Sequence, residues 1–318
     1  TVYSTYPDGE GMGSGVIYDT NGNVITNNHV IEDAESISVS LNGQSYDATL
    51  VGTDASSDLA VLHVDFGDTE VTPMEIGSSS DLQVGDWVMS VGSPFGLENS
   101  VSQGIVSALS RNTLMESASG NTLYTNLIQT DATINPGNSG GPLFNSYGEV
   151  IGITTAKYST SSSGTNVEGL GFAIPINDVK NIISDLIQYG YVTGKPYMGI
   201  TGVTMSASVA QQYGVTNAVL GVYVATVEDG SCSAKAGLQP GDIITAMDED
   251  DVVTFQDLEA AKATHQAGDT VTLTVFRNGE KLELSLTLDE QPRETITDTS
   301  SQQQQQPQQN NQYYGWPF

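Results

Sequence analysis

A serine lies among glycines in one short segment, residues 135–142, and this pattern is the most suggestive of chemistry. The segment reads Asn-Pro-Gly-Asn-Ser-Gly-Gly-Pro, with Ser139 near its centre. Glycine permits the backbone conformations of a tight turn and lets a substrate backbone approach closely. Such a turn can direct successive backbone N–H groups at one point and so bind an anion. The segment therefore offers both a nucleophile and an oxyanion hole.

A serine hydroxyl needs a base to remove its proton before it becomes a good nucleophile. The sequence has three histidines. His29 follows the strand-like run 24–26 and is the best placed of the three. His63 lies inside the strand-like run 59–64, and His265 lies far along the chain on a predicted helix. We interpret His63 and His265 as surface residues.

The base in turn needs an acceptor that fixes its tautomer and stabilises the imidazolium. Asp58 stands at the start of the run 59–64, where a strand can hold a carboxylate rigidly. Asp54 and Asp65 are rivals, although neither directly starts an apolar strand. The chain order of histidine, aspartate and serine is that of chymotrypsin-type enzymes and differs from the order in subtilisin and the α/β-hydrolases.

The elements that must position these side chains are short strands separated by turns. Over residues 1–175, the pairs Asn21-Gly22 and Asn42-Gly43 each separate two strand-like runs. Asn-Gly tolerates the positive φ of a type I′ hairpin turn. Repeated short strands at this spacing predict an all-β barrel or sandwich.

The pattern changes after Pro175, where apolar residues follow the period of an α-helix. We predict its N-cap at Asn177 and its end at Gly190. Beyond residue 290 the chain is polar and rich in glutamine, so it cannot bury enough apolar surface to become ordered. The predicted organisation is a first unit over 1–190, a linker over 191–196, a second unit over 197–290 and a disordered tail over 291–318.

Composition excludes several classes of function. The 318 residues include 38 Asp and Glu against 9 Lys and Arg, a formal net charge of −29. Nucleic acids and anionic membranes bind clustered Lys and Arg, so neither is expected as a partner. The single cysteine, Cys232, excludes an intramolecular disulfide and a Cys-rich zinc site. We interpret it as a small half-buried residue or an inert thiol, and we expect no metal or organic cofactor.

Five blocks of sequence, in order, resemble the HtrA (Deg) family of trypsin-like serine endoproteases. They are residues 26–30 (TNNHV), 57–61 (SDLAV), 92–96 (GSPFG) with 104–107 (GIVS), 137–142 (GNSGGP) and 169–175 (GLGFAIP). The resemblance covers about residues 1–290. It implies a mostly β fold, in which a chymotrypsin-like double β-barrel protease domain precedes a mixed α/β PDZ domain, and the disordered tail predicted from composition follows.

The resemblance implies a role for each candidate residue. His29 would be the base, Asp58 its orienting acceptor and Ser139 the nucleophile. The N–H groups of Gly137 and Ser139 would form the oxyanion hole. Ile134 would lie near the wall of the S1 pocket and favour a small or medium aliphatic P1 side chain.

The second unit resembles a PDZ domain of the HtrA type. The residues that carry this resemblance are Tyr197-Met198-Gly199-Ile200 and the block 237–244 (GLQPGDII). A PDZ domain binds an extended peptide as an added strand at an open sheet edge. The N–H groups of Met198, Gly199 and Ile200 would hold the C-terminal carboxylate of the peptide, and the helix predicted over 254–265 would line its side-chain pocket.

The resemblance as a whole implies an ATP-independent serine endopeptidase that degrades unfolded or misfolded proteins in quality control and the stress response. It also implies a homotrimer that works outside the cytoplasm, at a bacterial cell surface or after secretion. Because the chain begins at Thr1 rather than Met, we expect a signal, membrane anchor or pro-segment ahead of it. The alternative is a non-catalytic peptide-binding chaperone or scaffold on the same fold.

Overall fold

The chain folds mostly into β-strands. The computed structural model describes residues 1–97, 99–117, 120–155, 169–215 and 217–292, with the backbone alone over 114–117 and 120–123. Two β units form the first part of the chain and a smaller α/β unit follows. In these residues no helix is long and apolar enough to cross a membrane.

The first of the two β units is a seven-stranded antiparallel sheet in the order β2-β1-β5-β6-β7-β4-β3. Its strands are β1 (Val2–Tyr6), β2 (Gly9–Gly13), β3 (Val16–Ile17), β4 (Asn23–Thr26), β5 (Ser36–Leu41), β6 (Gln44–Asp54) and β7 (Leu59–Val64). One turn of helix, α1 (Asn28–Ile31), follows β4. The strand-and-turn reading of this region is confirmed.

The two Asn-Gly turns differ from each other. Asn42 and Gly43 have φ of 54° and 79°, as a type I′ turn between β5 and β6 requires. The Asn21-Gly22 pair is not such a turn, because only Gly22 has positive φ and the loop between β3 and β4 is longer. Asp19 organises that loop, since its carboxylate accepts hydrogen bonds from the N–H of Asn21 (2.9 Å) and of Asn23 (3.1 Å).

The other β unit is a closed six-stranded barrel in the order β10-β13-β12-β11-β8-β9. Its strands are β8 (Trp87–Gly92), β9 (Ser100–Ser117), β10 (Gly120–Thr130), β11 (Pro142–Phe144), β12 (Val150–Thr155) and β13 (Gly171–Pro175), with a 3₁₀ turn at Pro94–Gly96. One core cluster joins the two β units: Ile25 and Leu59 of the first pack with Leu127 and Ile153 of the second. This shared core fixes how the two β units meet.

The helix predicted after Pro175 is α2 (Ile176–Tyr189), and Gly190 ends it with φ of 80°. The predicted N-cap is wrong: Pro175 occupies that position, and Asn177 lies inside the first turn. The Asn177 side chain donates instead to the hydroxyl of Ser80 at 2.6 Å. The Asn177 side chain that was predicted to cap α2 therefore makes a tertiary hydrogen bond instead.

The α/β unit has its own core, with a main sheet in the order β15-β16-β17-β19-β20. Its strands are β14 (Pro196–Tyr197), β15 (Ile200–Thr204), β16 (Val222–Val227), β17 (Ile243–Met247), β18 (Asp250–Asp251), β19 (Thr270–Arg277), β20 (Glu280–Thr287) and β21 (Asp289–Glu290), and its helices are α3 (Ala207–Tyr213), α4 (Cys232–Lys235) and α5 (Phe255–Ala263). Strand β15 ends the strand order, and α5 lies beside it.

Two predictions for this part of the chain need comment. The helix predicted over 254–265 is shorter, because Thr254 is its N-cap and His265 lies beyond its end. The tail predicted over 291–318 lies outside the described residues except for its first two. The predicted domain boundaries stay predictions.

Candidate active site

His29 and Asp58 form a close pair where two neighbouring strands of the first sheet, β4 and β7, meet the loops. His29 lies on α1, directly after β4, and Asp58 directly precedes β7, which pairs with β4. The His29 Nδ1 atom lies 2.9 Å and 2.8 Å from the two carboxylate oxygens of Asp58. A carboxylate can only accept, so Nδ1 carries the proton and Nε2 of the neutral ring is left as the acceptor. The pairing of β4 with β7 thus fixes one tautomer of the His29 imidazole.

Several donors converge on the Asp58 carboxylate, which is buried with a relative exposure of 1 %. The backbone N–H of His29 donates to it at 2.9 Å, and the Thr155 hydroxyl donates at 3.2 Å. The amide side chain of Asn27 holds the Asp58 carbonyl at 2.8 Å. Asp58 has φ of 56°, in the left-handed region that aspartate and asparagine tolerate better than most residues. Its backbone and side chain are both held in place.

Tyr124 is a further donor to Asp58 that sequence reasoning missed. Its side chain is buried and hydrogen-bonds the Asp58 carboxylate and Thr155. Burial, then the charge of Asp58, raise the pKa of the Tyr124 phenol well above its usual range. The phenol therefore stays neutral and keeps its proton for donation. Tyr124 and Thr155 come from the barrel strands β10 and β12, so both β units contribute to the environment of one carboxylate.

Ser139 lies in a tight turn between β10 and β11 and is 4 % exposed. Gly137, two residues earlier, has φ of 102°, and a Cβ there would lie 2.6 Å from the Ser93 carbonyl oxygen. Only glycine fits this position. Asn138, between them, is buried and donates through its side chain to the Thr133 carbonyl at 3.3 Å.

The turn lies against the segment that carries His29. Gly140 has φ of 83°, and a Cβ there would lie 3.1 Å from the N atom of Asn27. The Gly140 N–H donates to the Thr154 carbonyl at 2.9 Å, next to the residue that contacts Asp58. The fold thus brings the turn with Ser139 to the junction where His29 and Asp58 lie. Of the three predicted residues, Ser139 comes from the closed barrel, and His29 and Asp58 come from the first sheet.

The rival residues are engaged elsewhere. Asp54 accepts hydrogen bonds from the Ser57 N–H (3.0 Å) and from Lys195 (2.5 Å). Asp65 is exposed and accepts from the N–H of Gly67 at 2.9 Å. His63 is exposed on β7, as predicted.

His265 and Cys232 lie in the α/β unit. His265 is partly exposed and pairs with Asp248 at 3.4 Å. Cys232 is buried, burial raises the pKa of its thiol, and that thiol donates to the Tyr197 carbonyl at 3.2 Å. It is therefore more buried than the half-buried position we expected, and it has the character of an inert thiol. Among the described residues there is no cluster of His, Cys, Asp and Glu able to hold a metal ion.

Ile134 lies beside the turn and next to β13. Its Cγ1 atom would be 2.6 Å from a Cβ at Gly171, so the glycine leaves room for the isoleucine side chain. This contact fits an apolar wall near Ser139, and the assignment of Ile134 to the S1 pocket stays a prediction.

The second predicted site lies at the open end of the α/β sheet. Gly199 has φ of 67°, and Ile200 begins the end strand β15. Met198 is buried in the core, while Tyr197 donates its phenol to Glu228 at 2.7 Å. Burial, then this hydrogen bond, raise the pKa of Tyr197 to about 12. The loop is thus anchored by the two residues before Gly199 and by β15 after it, at the end of the strand order.

Comparison with known proteins agrees with both units. The profile of the trypsin-like peptidase domain matches residues 13–153, and that of the PDZ domain matches residues 196–288. The chain is 42 % identical over 300 residues to the serine protease Do-like HtrA of Lactococcus lactis subsp. cremoris (strain MG1363), covering 91 % of this chain and 73 % of that protein. The chain belongs to the HtrA family of serine proteases. Its peptidase domain and its PDZ domain are those of the family.

Other HtrA-family proteins show the same likeness. The periplasmic pH-dependent serine endoprotease DegQ of Escherichia coli (strain K12) is 43 % identical over 282 residues, which is 88 % of this chain and 60 % of DegQ. The solved structure of the HtrA-type protease AlgW with decapeptide has a TM-score of 0.67 at 35 % identity and covers 90 % of this chain and 84 % of that chain. The chain thus spans about three fifths of the length of DegQ.

Proposed function

We propose that this chain is an ATP-independent serine endopeptidase that degrades unfolded or misfolded proteins. The observation that carries the proposal is the His29 Nδ1 contact with the buried Asp58 carboxylate at 2.8 Å, beside the glycine turn that presents Ser139. The names of the relatives, which are serine endoproteases, support the same reaction class.

In the proposed reaction His29 acts as a general base through Nε2 and takes the proton of the Ser139 hydroxyl. The Ser139 oxygen attacks the substrate carbonyl and forms a tetrahedral intermediate. The N–H groups of Gly137 and Ser139 stabilise the negative oxygen of that intermediate. His29 then gives its proton to the leaving amine. In the second half of the reaction His29 takes a proton from water, the water oxygen attacks the acyl-enzyme, and His29 returns the proton to the Ser139 oxygen as it leaves.

The Asp58 carboxylate has two tasks in this scheme. It keeps the His29 ring in the required tautomer, and it stabilises the imidazolium that forms when the ring takes the proton. The donors around Asp58 hold the carboxylate in its orientation toward His29. No nucleotide is needed, since substrates that are already unfolded require no energy-driven unfolding.

For the PDZ domain we propose binding of peptide C-termini along β15. The strand ends the sheet order and α5 lies alongside it, which suits addition of one further strand. The N–H groups at Met198, Gly199 and Ile200 would receive the terminal carboxylate. Structures of the similar protease AlgW were solved with a tripeptide and with a decapeptide, and they support the proposal that this chain also binds peptides.

Location and assembly are also proposals. The relatives DegQ and DegP are named periplasmic, which supports an extracytoplasmic site of action for this chain, at the cell surface or secreted. We propose a homotrimer as its assembly, to be tested by sedimentation or light scattering.

Digestion of casein, an unfolded protein, by wild type and by Ser139→Ala tests the proposed reaction. Mass spectrometry of the products is expected to give internal cleavages with wild type, without added nucleotide, and none with Ser139→Ala. Small or medium aliphatic side chains are expected at P1 if Ile134 lines the S1 pocket. Absence of cleavage by folded wild type would leave the non-catalytic chaperone as the better account, and equal cleavage by the two proteins would show that Ser139 is not the nucleophile.

A further inference from the structure

Ser14 connects the first sheet to the turn that carries Ser139, and the reaction scheme above gives it no role. It lies between β2 and β3 and is 4 % exposed. Its backbone N–H donates to the Ser139 carbonyl at 2.7 Å, and its hydroxyl donates to the Gly137 carbonyl at 2.7 Å. One residue of the first sheet thus holds two carbonyl groups of the turn.

These two hydrogen bonds enclose the proposed oxyanion hole. The two donors of the hole are the N–H groups of Gly137 and Ser139, and the peptide group that follows Gly137 lies between them. Because a peptide group is planar and rigid, the direction of the Gly137 carbonyl constrains how the chain turns from one donor to the other.

The next peptide group, which contains the Asn138 carbonyl, is held by residues of the closed barrel itself. The Asn138 carbonyl accepts from the Gly141 N–H at 2.9 Å and from the Thr154 hydroxyl at 2.6 Å. The Gly137 carbonyl depends instead on Ser14, because its other contact, with the Ser93 N–H, is long at 3.4 Å.

The Ser14 hydroxyl is itself oriented. It accepts a hydrogen bond from the Ser93 N–H at 3.0 Å, so its single proton is free to point at Gly137. The Ser14 carbonyl accepts from the Thr26 hydroxyl at 2.8 Å, which holds the backbone on the sheet side. The buried Ser14 hydroxyl, with hydrogen bonds to Ser93 and Gly137 on the barrel side and its backbone held on the sheet side, is thus a rigid link between the two β units.

We propose that Ser14 is a positioning residue for the oxyanion hole. Its hydroxyl holds the Gly137 peptide in the orientation that directs the N–H groups of Gly137 and Ser139 at one point. The inference rests on the proposed proteolytic function. Charge develops on the substrate oxygen only in the transition state, so loss of this link lowers kcat and leaves KM nearly unchanged.

The test compares Ser14→Ala with Ser90→Ala in the full chain. Ser90 is a buried serine on β8 whose hydroxyl makes no hydrogen bond to the described residues, so the same atom is removed without a link. Steady-state hydrolysis of an internally quenched peptide gives kcat and KM for each protein. Ser14→Cys is the conservative variant, because its thiol is slightly larger than the hydroxyl and keeps one proton as a weaker donor.

We expect kcat of Ser14→Ala to fall about 10- to 100-fold with KM within about threefold, since loss of a whole oxyanion donor costs about 100- to 1,000-fold. Ser14→Cys is expected to be intermediate, and it carries the test if Ser14→Ala does not fold. Equal kcat in Ser14→Ala and Ser90→Ala, or a change confined to KM, would overturn the inference while the Ser139-dependent activity of wild type stands. No Ser139-dependent hydrolysis by wild type would overturn both proposals.

Discussion

The Lys195 ammonium lies 2.5 Å from both carboxylate oxygens of Asp54, although 141 positions separate the two residues in the chain. Lys195 directly precedes β14, and Asp54 ends β6 and begins the turn that leads to Asp58. Asp54 also accepts from the Ser57 N–H at 3.0 Å, which closes that turn. In a chain with only 9 Lys and Arg, one cation thus holds the turn ahead of the proposed catalytic aspartate.

The ion pair predicts a loss of stability in Lys195→Met. Lys195 and Asp54 have side-chain exposures of 21 % and 9 %, so removal of the cation leaves a largely buried carboxylate unpaired. We expect a loss of about 1–3 kcal/mol in the free energy of unfolding, measured by urea denaturation. The control is Lys281→Met, which removes the same charge from an exposed position on β20. Equal losses in the two variants would show that the pair contributes nothing beyond net charge.

Asp58→Asn is expected to lower kcat about 10,000-fold, because an amide at this position favours the wrong tautomer of His29. Asparagine also tolerates the left-handed backbone found at Asp58, so the variant is expected to fold. Asp65→Asn makes the same chemical change at the exposed rival and is expected to keep wild-type kcat. A large loss in Asp65→Asn, with Asp58→Asn near wild type, would reassign the orienting acceptor.

Tyr197 predicts a pH dependence of stability. Burial, and then the hydrogen bond to Glu228, raise its pKa from the ordinary value of 10.0 to about 12, so the folded state favours the neutral phenol. Its contribution is therefore fully present below pH 10 and is lost as the pH rises towards about 12. Unfolding free energies at pH 8 and above pH 11 are expected to differ less in Tyr197→Phe than in wild type.

The control for this experiment is Tyr147→Phe, at a tyrosine that is 85 % exposed. This variant is expected to keep the pH dependence of wild type. If Tyr197→Phe also keeps it, the bond to Glu228 makes no contribution that depends on the phenol proton.

Gly199→Ala is expected to weaken peptide binding to the PDZ domain at least about tenfold, a free-energy change of about 1.4 kcal/mol. Gly199 has φ of 67°, and a Cβ there would lie 2.4 Å from the Ser231 Cβ, so the loop must move. Gly214→Ala has nearly the same φ, 69°, and meets no atom within 4 Å, so it isolates the backbone strain. The measurement is fluorescence anisotropy of a labelled peptide with a free C-terminus, with its amidated form as reference. Similar affinities for Gly199→Ala and Gly214→Ala would move the carboxylate site away from this loop.

Local pattern was enough to place a hairpin, a helix and the two strands that flank His29 and Asp58. The Asn42-Gly43 pair predicted a hairpin because both positions need positive φ, and the apolar period after Pro175 predicted α2. His29 and Asp58 were found because each lies at the end of a strand, and those strands turn out to be neighbours. What failed was local detail that a tertiary contact overrides, as at Asn177.

Residues that act across the two β units could not be predicted. Ser14 and Tyr124 lie 123 and 66 positions from the residues they bond, Gly137 and Asp58. A serine between two strands and a tyrosine within one carry no local signal of such contacts. Only the packing of the closed barrel against the first sheet brings them to the site.

The identity of the nucleophile is tested most directly by mass spectrometry of the full chain after reaction with a fluorophosphonate, which labels a serine activated by a base. The account predicts a single adduct, located by peptide mapping on Ser139 and absent from Ser139→Ala and from His29→Ala. An adduct on another residue, or a folded wild-type chain that forms none, would contradict it.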